Sequence, residues 1–192
     1  MRRQAFTGIV LATIGALALA AGPALAADGV DVSRGSDNGL VVTVYTEAAN
    51  VHFSFNPVGC GSNIPCYEIT AGTGMVGTPV TAGGGCNAQN GNGYTPSAVV
   101  CPAEGVSSIT FVFKAGGTWS SYAGSGGEHA SGPRSPAPVT VQTGSGGGAM
   151  SVNSWNGCHE TVICNSSAAE FTAAEVDAAD TLRGTCSSVI KH

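Results

Sequence analysis

Apolar and polar residues alternate in four stretches of the chain: Leu40-Val-Val-Thr-Val-Tyr45, Val51-His-Phe-Ser-Phe55, Ile109-Thr-Phe-Val-Phe-Lys114 and Val139-Thr-Val-Gln-Thr143. A period of two sends successive side chains to opposite faces, so each stretch predicts a strand with one buried face. Shorter stretches of the same character lie at 66–70, 98–101, 149–153 and 161–164. The runs between them, Ala82-Gly-Gly-Gly85, Gly124-Ser-Gly-Gly127 and Gly144-Ser-Gly-Gly-Gly148, read as turns. In the second half Val141, Val152 and Ile163 recur eleven residues apart, and Phe171 follows eight later. Short strands repeating at near-constant spacing with Gly-rich turns predict an all-β chain that coils as a parallel roll or solenoid; an antiparallel β-sandwich is the alternative. Residues 166–179 are ambiguous, because their Ala and Glu content favours a helix by propensity alone.

The N-terminus changes the picture of where this domain works. Arg2 and Arg3 precede an apolar run from Gly8 to Ala21, then Gly22-Pro23 and the small-residue ending Ala24-Leu25-Ala26. That order reads as a secretory signal peptide over 1–26, since the run is shorter than the roughly 20 residues a membrane-spanning helix requires. Removal of 1–26 takes away two basic residues and no acidic one, moving the formal charge from −5 to −7. An acidic chain without basic clusters is not expected to bind nucleic acid, and no later apolar stretch predicts a membrane span. The remainder divides into a β-rich leader at 27–104 and a Gly-rich repeat-like region at 105–192.

Seven cysteines in an exported chain predict disulfides. Cys60 with Cys66 closes a short loop, and Cys86 with Cys101 a longer one. Two of Cys158, Cys164 and Cys186 can pair, leaving one over. No Cys-x-x-Cys is present, so zinc is not expected.

The stretch Ala82-Gly-Gly-Gly-Cys-Asn87, followed by Ala98-Val-Val-Cys-Pro-Ala-Glu-Gly-Val-Ser-Ser-Ile-Thr-Phe-Val-Phe113, resembles the leader that precedes the nonapeptide repeats of secreted haemolysin-type, repeats-in-toxin calcium-binding proteins. The resemblance extends over about residues 38–192. It implies a β-roll, a strand and loop at 166–179 in place of a helix, and a closing segment in which an Asp-rich turn at 175–180 leads to Cys186 and a last strand. In that family Gly-Gly-x-Gly-x-Asp turns supply carboxylates to calcium ions shared between successive turns. Here the glycines are present but no Asp lies between residues 38 and 176, which implies that most calcium sites are lost.

Candidate chemistry is sparse. Glu175, Asp177 and Asp180 are the densest carboxylates and could hold one calcium; a solvated acidic turn is the simpler reading. Glu128-His129 and His159-Glu160 each pair a base with a carboxylate, but strand neighbours face opposite ways, so neither doublet is an assembled dyad. His52 sits on the polar face of its strand. No Gly-x-Ser-x-Gly elbow is present. Trp119, Tyr122 and Trp155 could line a sugar platform if all three were exposed on one face. The expectation is a non-enzymatic, secreted β protein without a cofactor, extracellular, periplasmic or at the cell surface, binding a protein or glycan surface. A carbohydrate-binding sandwich and a small hydrolase are the alternatives.

Overall fold

The computed structural model describes residues 29–45, 50–60, 63–73, 76–89, 97–114, 120–124, 135–144, 149–165 and 171–192. All regular structure among them is β: β1 (Val30–Arg34), β2 (Leu40–Val44), β3 (Asn50–Asn56), β4 (Cys66–Thr73), β5 (Val76–Gly77), β6 (Val80–Ala82), β7 (Asn87–Gln89), β8 (Ser97–Pro102), β9 (Ile109–Phe113), β10 (Ser120–Ala123), β11 (Val139–Gln142), β12 (Ala149–Ser154), β13 (Glu160–Asn165), β14 (Phe171–Val176), β15 (Thr181–Thr185) and β16 (Ser188–Lys191). The eight strands expected from alternation all form. No helix among the described residues is long and apolar enough to cross a membrane.

The strands make two sheets. The first runs β15-β13-β11-β9-β2-β1-β6, and the second β16-β14-β12-β10-β3-β4-β8-β7 with β5 against β4. Pairing is antiparallel between β1 and β2 and among β3, β4, β5, β7 and β8. From β9 onward successive strands alternate between sheets, and each pairs in parallel with the strand two places on. Two facing sheets are compatible with the sandwich alternative as well. β2 pairs with β9 and β3 with β10, so strands on either side of residue 104 share both sheets.

Alternation explains the core. In β9 the residues Ile109, Phe111 and Phe113 are buried, and Thr110 and Val112 are only partly covered. The inward residues of the two sheets meet: Phe111 lies edge-on to Phe53 at 5.5 Å between ring centroids and 4.9 Å from Tyr122. Such aromatic pairs add about 0.5–1.5 kcal/mol beyond the area they bury.

Within the ambiguous stretch, 166–170 lies outside the described residues, and no helix forms in the rest. Residues 171–176 are strand β14, followed by a turn at Asp177–Asp180. The physical reason is partnership. β14 is hydrogen-bonded on both edges, to β12 and to β16, and buries Thr172, Ala174 and Val176 on one face. Pairing of all six backbone positions with β12, and of four of them with β16 as well, outweighs the few tenths of a kcal/mol by which Ala and Glu prefer a helix.

Three cysteine pairs are disulfides: Cys60–Cys66, Cys86–Cys101 and Cys164–Cys186. Cys158, half-buried, stands outside the bridges. The segment 1–26 lies outside the described residues.

Candidate functional site

Residue rows across the first sheet reveal one anomaly. Leu40 pairs with Ile109, Ile109 with Val139, and Val139 with Glu160. A carboxyl therefore occupies the fourth place of an inward row whose other three members are branched and apolar. Glu160 is 2% exposed. Val162 and Cys164 continue the same buried face of β13, so the strand's alternation itself sends Glu160 inward.

Around Glu160 the turns that carry the chain from the second sheet back to the first converge. Asn156 Nδ2 donates to Glu160 Oε1 at 3.1 Å, and the Tyr122 hydroxyl donates to the same oxygen at 3.4 Å. Oε2 is buried and has no hydrogen-bond partner. Gly124 lies two residues after Tyr122, and a Cβ there would collide with Asn156 Nδ2 and crowd Glu160 Oε1. Only a residue without a side chain lets the polar cluster close. Burial pushes the Glu160 carboxyl up to about 8, the nearby Asp180 and Asp177 charges act in the same direction, and the bonds from Asn156 and Tyr122 oppose the rise. Burial, and then the Glu160 charge, hold the Tyr122 phenol well above its usual range, so it remains a donor.

The carboxylates proposed from sequence as a calcium site are used differently. Asp180 Oδ1 accepts the Glu160 N–H at 2.8 Å, and its Oδ2 accepts the Ser154 hydroxyl at 2.7 Å and the Asp177 N–H at 3.0 Å. Asp177 Oδ2 accepts the N–H groups of Asn156 at 2.9 Å and Gly157 at 2.6 Å. Glu175 binds outward, with Oε1 at 2.9 Å from His192 Nε2. Glu175 is thus drawn away from the two aspartates. No group of three or more His, Cys, Asp or Glu among the described residues is arranged to hold a metal. Nor is the turn merely solvated, since Asp180 is buried.

Beside this cluster lies a half-open cleft of about 550 Å³ between residues 135–139, residues 157–160 and Ala179. Glu160 and Cys158 both line it, and the Cys158 N–H is held by Asn156 Oδ1 at 2.8 Å. His159, just before β13, is exposed and lines the same cleft, with Nε2 3.4 Å from the Thr181 hydroxyl, while the Glu160 oxygens bond only to Asn156 and Tyr122. His159 and Glu160 therefore do not form a dyad, as their adjacency predicts. His52 is exposed on β3 between buried Val51 and Phe53.

The aromatic platform fails at Tyr122, which is 1% exposed and packed on Phe111. Trp155 stacks on the His192 ring at 3.5 Å. Trp119 and the Glu128-His129 doublet lie outside the described residues. Sequence reasoning named Glu160 only as half of a doublet. Extending the alternation of Val162 and Cys164 one step upstream was the signal that would have singled it out. Comparison with protein-family models, with curated proteins and with solved structures gave no match.

Proposed function

We propose that this is a secreted, non-enzymatic β protein, a structural or binding component of the cell envelope or the surrounding medium, related to calcium-binding repeat modules in which most calcium sites are lost. Three disulfides suit an oxidising compartment, as the signal-peptide reading requires. The observation that carries the proposal is the way Asp177 and Asp180 are spent. Each bonds to backbone N–H groups of the turn one row earlier: Asp177 to Asn156 and Gly157, and Asp180 to Glu160. These separations of 20 and 21 residues match the strand register, in which Val139 pairs with Glu160 and Thr161 with Thr181. In the related modules calcium would link consecutive turns; here the carboxylates do so directly through N–H donors, which occupy Asp177 Oδ2 and Asp180 Oδ1.

The non-enzymatic reading has its own support. Asp180 is the nearest carboxylate to Glu160 in its effect, yet both of its oxygens are hydrogen-bonded, and His159, although it lines the cleft, makes no hydrogen bond to either Glu160 oxygen. Glu160 therefore has no assembled acid–base partner of the kind hydrolysis requires.

Thermal unfolding in excess calcium and in chelator tests the proposal, and the midpoint is expected to be the same in both. A site filled to a hundred times its dissociation constant would add about 2.7 kcal/mol, or roughly 5–11 °C for a domain of this size. A rise of that order with calcium but not magnesium would overturn the reading.

A further inference from the structure

We infer that the cleft beside Glu160 binds an organic cation that carries N–H donors, a primary ammonium on a short apolar stem. The cleft volume, about 550 Å³, lies within the range of small-ligand sites, roughly 300–1,000 Å³. Pro136, Ala137, Pro138 and Val139 supply an apolar wall, and Glu160 supplies a buried oxygen, Oε2, that no group in the protein satisfies. A buried acceptor left unpaired is costly, and a donor delivered by a ligand removes that cost.

Charge selects the donor. Glu160, Asp177 and Asp180 converge on this end of the fold, and among the described residues the ion pair formed is His192 with Glu175, with no Lys or Arg bridged to the three. An anion would be repelled by Asp177 and Asp180, and by Glu160 once it ionises, and an alcohol could fill the hydrogen bond but gains nothing from the charge. A quaternary ammonium has no N–H for Oε2, and no Phe, Tyr or Trp lines the cleft to cage it. The inference stands whether or not the chain is related to calcium-binding modules.

Titration calorimetry with n-butylammonium, 1-butanol, tetramethylammonium and butyrate tests it. Butylammonium is expected to bind at least about tenfold tighter than the other three. Its affinity should grow by up to about tenfold per pH unit from pH 6, levelling above pH ~8, because Glu160 must release its proton to form the pair. Tyr122 on β10, Asp177 and Asp180 in the turn after β14, and Cys158 and His159 before β13, the last two lining the cleft, are the titratable groups that face this cluster. Glu160→Gln keeps the side-chain volume and the acceptor for Asn156, and should abolish butylammonium binding. A second measurement on the unaltered protein follows the Glu160 carboxyl by ¹³C resonance, and its titration should move to lower pH when butylammonium is added. Equal binding of butanol, binding retained by E160Q, no binding up to pH 9, or an unmoved Glu160 titration would each overturn the inference.

Discussion

Glu160 closes an inward row begun by Leu40, Ile109 and Val139, so an apolar row ends in a carboxyl that burial lifts to about 8. In the unfolded chain the same group titrates near 4.5. Between those two pH values the folded protein holds a proton that the unfolded chain has lost. The contribution of Glu160 to stability is therefore full below the lower value and is lost as pH rises toward the upper one, by up to about 1.4 kcal/mol per pH unit. Urea unfolding of the wild type and of Glu160→Gln from pH 5 to pH 8 measures this directly. The wild type should lose stability relative to the variant across that window, and parallel curves would show that the carboxyl is not buried as described. Residue identity alone did not expose this site, because a Glu beside a His on a short strand reads as surface. Its environment comes from Asn156, Tyr122 and Asp180, which lie 4, 38 and 20 residues away in sequence.

At the level of elements, alternation was a good guide, finding even β11, whose inward apolar residues are only Val139 and Val141. It missed β1, whose Val30 and Val32 are its only apolar inward pair, and the short strands β6 and β7. It also left 166–179 undecided, because helix propensity is local and the two neighbours that hold β14 are not. The eleven-residue spacing of Val141, Val152 and Ile163 continues one step further to Ala174, which is buried in β14; Phe171 marks the start of that strand, not its centre. The Cys164–Cys186 bridge ties the end of β13 to the residue after β15, where Cys164 also faces Gly184 across the ladder. A Cβ at Gly184 would collide with the Cys164 carbonyl, and the glycine's φ of +76° suits no larger residue well. Replacing both cysteines by serine should cost about 3 kcal/mol in denaturant unfolding, as expected for a closed loop of this length. Amide exchange should accelerate first in β15 and β16, which are edge strands with exposed faces, while β9 and β11 stay protected. Uniform acceleration would contradict a bridge that acts locally.

Over the whole molecule, the parallel ladders are all non-local. Leu40 pairs with Ile109, Ile109 with Val139, and Ala149 with Phe171, so loops of 69, 30 and 22 residues must close before the sheets reward them. Chains of this kind refold in about milliseconds to seconds. Stopped-flow tryptophan fluorescence of the unfolded, disulfide-intact protein should show that range, and a microsecond phase carrying the full amplitude would point to a far more local folding route. The all-β class, two of the three disulfides and the set from which the third is drawn were legible in the linear pattern, because period-two patterning and short loop closure are local properties. Tertiary structure alone decided that the strands share two sheets, that β14 is not a helix, that Asp177 and Asp180 serve backbone donors, and that Glu160 is buried with one oxygen unmet. Each of these depends on which distant segment becomes a neighbour, and a linear pattern carries no information on that until the chain has folded.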